Sequence, residues 1–157
     1  MIEVATIKNG KAIRKITATS GFFSEGEIAT VDELWDEYLR LGSKTSGYYF
    51  LVFQGEEKVL GYACYGPHPL TESTYDLYWI VTDARAKGQG VGKALMAEVE
   101  KEVALLGGSL LIAETSGKDL YKPTRGFYKK RGYIKEAVIK DFYAPGDDLV
   151  MFTKKLA

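Results

Sequence analysis

The chain has 157 residues, 46% of them apolar and 27% charged, with 21 basic and 21 acidic side chains that cancel. That length holds one domain over residues 1–157 with a core of its own; zero net charge speaks against a dedicated nucleic-acid partner, and no apolar stretch is long enough to span a bilayer. A single cysteine, Cys64, excludes an intrachain disulfide, and with no secretory leader at Met1–Thr6 it points to a reducing, cytoplasmic setting.

Taken in order, Lys11–Thr19 alternates weakly through Ile13, Ile16 and Ala18 and reads as a first strand. Two capping-box patterns follow, Ser24-x-x-Glu27 and Thr30-x-x-Glu33. After the second, Val31, Leu34, Trp35, Tyr38 and Leu41 share one face, predicting a helix from Val31 to Leu41 that Gly42 stops. Tyr48–Phe53 and Lys58–Tyr65, joined by the polar turn Gln54–Glu57, form a hairpin. Gly66–Thr71 is a loop, because prolines at 67 and 69 cannot both sit in a central strand. Thr74–Val81 is a strand, and Val91, Leu95, Val99, Val103 and Leu106 then recur at helical spacing. Leu110–Ala113 is a strand covered on both faces. Pro123–Arg131 is a short helix, and Tyr133–Tyr143 and Leu149–Thr153 are strands about the turn Ala144–Asp147. The order β-α-β-β-β-α-β-α-β-β defines a mixed α/β sheet flanked by helices, with one parallel crossover around the middle helix.

The informative stretch is Lys87-Gly88-Gln89-Gly90-Val91-Gly92-Lys93, where a strand runs through a glycine turn into a helix. The first amides of a helix have no partner inside it and carry partial positive charge, so they hold anions, a phosphate above all. An ATP loop is excluded, because Lys87 stands where its first glycine belongs and Ala94 where its Ser or Thr belongs. G-x-G-x-G also departs from the dinucleotide fingerprint. The charge distribution agrees with an anion site: residues 1–79 carry seven basic and eleven acidic side chains, and residues 80–157 carry fourteen and ten.

Thr82–Leu95 closely resembles the pyrophosphate loop R/Q-x-x-G-x-G/A of the GNAT family of N-acetyltransferases, with Lys87, Gly90 and Gly92 in the motif positions. An offset match, Arg85-x-x-Gly88-x-Gly90, also exists, and the following Lys-Ala-Leu favours the first register. Phe127-Tyr128-Lys129-Lys130-Arg131-Gly132-Tyr133 resembles the family's F-Y-x-x-x-G-F/Y segment. The predicted order of elements over about residues 11–156 also resembles that of the GNAT fold. The resemblance implies acetyl-CoA as co-substrate, its phosphates met by Lys87, Gly88, Gln89, Gly90, Val91, Gly92 and Lys93, with Arg85 as a further contact. It also implies a backbone oxyanion donor among Ile80, Val81 and Thr82, where a bulge parts two strands, and Tyr128 as the acid that protonates the departing thiolate. Tyr121 stands where many relatives carry an asparagine that meets the cofactor, and Lys87 replaces the usual Arg or Gln.

Acyl transfer to an amine also needs a base, because at a pKa near ~10 about one amine in a thousand is neutral at pH 7. Glu114, at the ligand end of its strand, and Asp76, on the same strand face as Tyr78, are the candidates. His68, between two prolines, reads as an exposed imidazole without a partner. Cys64 reads as packed, and no residue cluster has metal-ligand spacing. Tyrosines 48, 49, 62, 65, 75, 78 and 143, with Asp141, Asp147 and Asp148, are available to a cationic acceptor, and loop 142–148 is the first place to look for acceptor choice. The expected activity is transfer to the primary amine of a small molecule or amino acid by direct attack in a ternary complex. A protein N-terminus or lysine as acceptor, or a CoA-binding sensor without catalysis, are the alternatives. Free edge strands permit a homodimer.

Overall fold

A computed structural model describes residues 1–156. Seven strands form one sheet: β1 (Ile2–Val4), β2 (Tyr49–Gln54), β3 (Val59–Pro67), β4 (Thr74–Thr82), β5 (Leu110–Ser116), β6 (Ile134–Ala144) and β7 (Asp147–Lys155), in the order β1-β2-β3-β4-β5-β7-β6. Four helices flank it: α1 (Gly10–Thr19), α2 (Glu25–Ser46), α3 (Val91–Leu105) and α4 (Lys122–Lys130). Only β4 and β5 run parallel, and α3 is the crossover between them.

The N-terminal reading needs correction. Residues 11–19 belong to a helix, and the first strand is Ile2–Val4, paired with Phe53–Leu51. The buried face of α1 is Ile13, Ile16 and Thr17. Thr17 supplies the missing helical position, its hydroxyl donating to Ile13 O at 2.8 Å and lying 2.6 Å from the Tyr62 hydroxyl. Helix α2 starts at the first capping box: Glu27 N–H donates to Ser24 Oγ at 3.2 Å and Ser24 N–H to Glu27 Oε1 at 3.1 Å. Thr30 lies inside that helix and donates back to Gly26 O at 3.0 Å. Gly42, at φ 78° and ψ 168°, does interrupt the helix where expected; a short second helical segment follows it and ends at Gly47, φ 79°.

The sheet buries a core on each face. Helix α3 lays Val91, Leu95, Met96, Val99 and Val103 against Leu111, Ala113 and Phe152, with Tyr128 of α4 beside them. Helices α1 and α2 cover Phe50, Val52, Tyr62 and Val81 on the opposite face with Ile13, Val31 and Trp35. Each large aliphatic side chain removed from water in this way contributes roughly 1.5–3 kcal/mol before entropy is set against it.

The sheet is interrupted where the cofactor is expected. Strands β4 and β5 pair only from Thr74–Leu77 with Leu110–Ala113. Beyond that point β5 stays with β7 as far as Ser116↔Leu149, and β4 stays with β3 as far as Thr82↔Gly61. At the parting the β3–β4 register slips from Cys64↔Trp79 to Tyr65↔Leu77, so Tyr78 is an extra, bulged residue. A bulge bends its strand and increases local twist, and here it turns β4 away from β5.

Candidate active site

The bulge decides which backbone groups face the gap. Asp83 N–H donates to Leu60 O at 2.8 Å. Alternation along an antiparallel ladder then directs the amides of Val81 and Trp79 to β3, and those of Ile80 and Thr82 away from it, into the opening. Of the three positions expected to supply an oxyanion donor, all of which line the cleft, Ile80 and Thr82 have the required direction.

At the end of β4, Asp83 caps a short turn by accepting Arg85 N–H on Oδ1 at 2.9 Å. The chain then bends through Gly88 (φ 80°) and Gly90 (φ 78°), and a Cβ at either would meet nothing within 4 Å. These glycines serve the left-handed path, which costs other residues roughly 1–2 kcal/mol, and they leave open space against the backbone. Ala94 N–H is the first helical amide to be satisfied, on Gly90 O at 3.0 Å. The amides of Val91, Gly92 and Lys93 have no partner among the described residues. A bare helix start with glycine on its approach fits a diphosphate. Lys87, Gly88, Gly90, Val91, Gly92 and Lys93 all line the cleft; Gln89 does not, and its amide bonds Ala86 O. Arg85 also lies off the cleft wall, its guanidinium 3.4 Å from Asp83 Oδ2.

From this mouth a cleft of about 1190 Å³ passes through the parted sheet. Tyr128 enters it from the α3–α4 face. The side chain is 5% exposed, and its hydroxyl has no hydrogen-bond partner among the described residues. Burial, and next the charge of Tyr143, push its pKa up, so the proton stays on at neutral pH. On the opposite face, Leu111 and Ala113 turn into the α3 core, and alternation brings Ile112, Glu114 and Ser116 to the other side. Glu114 stands there at the parting point. Desolvation by the cleft wall, then the nearby Asp76 carboxylate, raise its pKa, while His68 lowers it.

Asp76 is on the same side, with His68 Nδ1 2.7 Å from its Oδ2. This corrects the reading of His68 as unpartnered. The β3–β4 ladder continues past Pro67, with His68 N–H on Thr74 O at 2.8 Å, and carries the imidazole over Asp76. Asp147 accepts a hydrogen bond from Ser116 Oγ, and Tyr143 stands nearby, its pKa pushed up to about 12 by burial and then by Glu114, Asp147 and Glu27.

Of the tyrosines offered for an acceptor pocket, Tyr78 and Tyr143 line the cleft. Tyr62 and Tyr65 are core residues, at 0% and 2% exposure. Tyr121 does line the cleft, but its hydroxyl donates to Phe22 O at 2.9 Å. That bond ties the α1–α2 connection across the cleft, with the rings of Phe22 and Tyr121 5.7 Å apart and Lys87 Nζ 5.5 Å over Phe22. Phe22, Phe23 and Ser116 carry no motif, and only their neighbours in the fold mark them. Cys64 is fully buried, which pushes its thiol pKa well up.

A sheet parted between two parallel strands, with a bare helix start at its mouth and an unpartnered phenol inside, is the layout of a transferase and has room for a long donor. The chain belongs to the GNAT family of acetyltransferases: the Acetyltransferase (GNAT) family model matches residues 12–133. A crystal structure from Desulfovibrio desulfuricans, described as that of a GNAT-family acetyltransferase, is 42% identical and superposes with a TM-score of 0.96 over 100% of this chain and 99% of that one. The ribosomal-protein-S18-alanine N-acetyltransferase of Escherichia coli shares the fold at 16% identity and a TM-score of 0.80, over 100% of this chain and 94% of that one. An aminoglycoside 6'-N-acetyltransferase complexed with coenzyme A shares it at 16% identity and a TM-score of 0.78, over 100% of this chain and 97% of that one. No curated protein matches the sequence significantly. No helix among the described residues is long and apolar enough to cross a membrane.

Proposed function

We propose that this acetyltransferase uses acetyl-CoA to acetylate the primary amine of a small molecule in the cytoplasm, by direct attack in a ternary complex. Acetyl-CoA supplies an acyl carbon activated as a thioester, and the net change is R-NH₃⁺ plus acetyl-CoA to R-NH-acetyl, CoA thiol and one proton. The free amides of Val91, Gly92 and Lys93, with the side chains of Lys87 and Lys93, hold the diphosphate at the mouth of the cleft. The amides of Ile80 and Thr82 face the gap and stabilise negative charge on the carbonyl oxygen; a fixed donor of this kind is worth roughly 3–4 kcal/mol.

The two faces of the sheet divide the proton traffic. On the acceptor face, the ammonium loses its proton to Glu114, directly or through water, and the His68–Asp76 pair is the next station toward solvent. On the α3–α4 face, the buried phenol of Tyr128 gives its proton to the departing sulfur as the C–S bond breaks and the C–N bond forms, and the second proton shed by the acylated nitrogen restores the phenol. A phenol holds its proton at neutral pH even without burial, so Tyr128 is in the donating form when the thiolate develops beside it. The α1–α2 connection tied down by Tyr121 narrows the acceptor side, which favours a small amine over a folded protein.

The observation that carries this reading is the Tyr128 hydroxyl without a partner in the cleft that begins at the bare start of α3. The test is Tyr128→Phe, with acetyl-CoA binding followed by calorimetry and turnover by thiol release. Binding is expected to persist while turnover falls by about 10²–10⁴-fold. Absence of heat with both acetyl-CoA and CoA, or full activity of the variant, overturns the proposal.

A further inference from the structure

The cleft has two chemically opposite ends. Its basic lining residues are Lys87 and Lys93 at the glycine turn and Lys130 and Arg131 at the end of α4. The acceptor end carries Asp76, Glu114, Asp147 and Glu27, and its one basic lining residue is His68. Nearby cations are otherwise engaged: Arg125 Nη1 donates to the carbonyls of Ser116 and Lys118 at 2.8 Å, and the exposed Lys118 is 4.0 Å from Asp147. Glu114 has no ion-pair partner among the described residues.

Acetylating a simple monoamine does not require so much negative charge, since the reacting nitrogen must become neutral. Carboxylates remaining after that step have a use only if the acceptor keeps a second positive charge. The layout of β5 gives that charge a place. Glu114 and Ser116 point to one side two residues apart, about 7 Å by strand rise, and Ser116 holds Asp147. One anionic position therefore lies at the parting of the strands and another, Asp147, lies further along, where Tyr143 and Tyr121 also line the cleft. Aromatic faces attract ammonium groups as well. The unpartnered hydroxyl of Tyr128 independently marks the same cleft as a ligand site.

We infer that the acceptor is a small aliphatic diamine or polyamine, one amine reacting beside Glu114 while the other stays protonated at Asp147 and Glu27. The inference rests on the acetyl-transfer reading and narrows its substrate. It excludes α-amino acids as good acceptors: their carboxylate meets Asp76 and Glu114 with no free cation to receive it, and like charges brought together in an interface are strongly unfavourable. The transfer chemistry is as above, and the distal ammonium passes through it unchanged.

The experiment compares kcat/KM, by thiol release, for 1,4-diaminobutane, 1-aminobutane and ornithine, alongside calorimetry of each against the protein saturated with CoA. The diamine is expected to exceed the monoamine by about ten- to a hundredfold, the range for a hydrogen-bonded charge. Ornithine, which adds a carboxylate, is expected to lose most of that gain, and binding to the CoA complex should rank the same way without turnover. Asp147→Asn should bring the diamine-to-monoamine ratio down toward one. Glu27→Gln, which keeps an acceptor for the α2 cap, should lower it by a smaller factor. If CoA binds and 1-aminobutane or ornithine matches the diamine, the inference is overturned while acetyl transfer stands. If CoA gives no heat, the acetyl-transfer reading itself has failed and takes the inference with it.

Discussion

His68 Nδ1 lies 2.7 Å from Asp76 Oδ2 on the side of the sheet where Glu114 stands, so a titratable ring and two carboxylates share one end of the cleft. In the proposed reaction these groups form the route by which the acceptor's proton leaves, with Asp76 holding the ring. His68→Ala is expected to lower kcat by about tenfold or more, within the range of acid–base assistance, and to leave the affinity for CoA intact. His68→Gln, which keeps a polar partner for Asp76, should recover stability without recovering rate. Unchanged kcat in both variants would remove the imidazole from the route.

Glu114 links pH to both rate and stability, in opposite senses. As the proposed base it works unprotonated, so kcat/KM should fall on the acid side, with a midpoint above the ordinary glutamate range because desolvation and Asp76 raise its pKa. A carboxyl whose folded pKa is raised makes its full contribution to stability when protonated and loses it as pH rises through that pKa. Glu114→Gln is therefore expected to lose the acid limb and most activity while melting at or slightly above the wild-type temperature at pH 7. The melting-temperature gap should close as pH falls. The gain is small, because the carboxylate still reaches cleft water. A variant that melts well below wild type at pH 7 contradicts this assignment.

The parts of the site legible in the sequence are those that backbone geometry dictates. Gly88 and Gly90 must be glycine because the chain turns left-handed there, and the Val91–Val103 periodicity continues the same message into α3. The place of Tyr128 in the candidate cleft is marked in the sequence by its neighbours Phe127 and Gly132. Contacts that depend on long-range register were not legible. His68 looked idle because nothing local shows that the hairpin ladder extends beyond Pro67. Helix α1 reads as a strand because its third buried position is Thr17, a polar residue whose hydroxyl bonds Ile13 O inside the helix and meets Tyr62, 45 residues away. Phe22 gains its place from a carbonyl bond to Tyr121, 99 residues distant.

Asp83 sets a second pH dependence, of the opposite sign. The Arg85 amide first, then the Arg85 side chain, hold its pKa down to about 2. A depressed carboxyl stabilises the fold above its unfolded pKa, near ~3.9, and that contribution is lost as pH falls from about 4 to about 2. Asp83→Asn, which keeps an oxygen for the Arg85 amide, is expected to flatten the stability curve in that window, whereas Asp83→Ala should in addition cost about 1 kcal/mol at pH 7, the usual size of a lost cap. Urea unfolding at several pH values measures both. Because Asp83 anchors the turn that leads to Gly88, CoA affinity should weaken along with it.

Gly61 ties the sheet to the start of α3. A Cβ there would stand 2.8 Å from Val91 Cγ1, 2.9 Å from Val81 O and 3.2 Å from Leu95 Cδ1. The carbonyl cannot yield without disturbing the β3–β4 ladder, so the helix start must move, and the Val91 amide belongs to the proposed diphosphate site. Gly61→Ala is expected to cost about 1–3 kcal/mol, as overpacking does, and to lower the melting temperature by roughly 3–10 °C while weakening CoA binding. Gly26→Ala is the contrast. Its Cβ would have only Ser24 Oγ within 4 Å, at 3.9 Å, inside α2, so it should stabilise by about 0.5–1 kcal/mol and leave CoA binding alone. If both alanines shift melting in the same direction with CoA affinity unchanged, the packing of α3 on β3 does not set the geometry of the anion site.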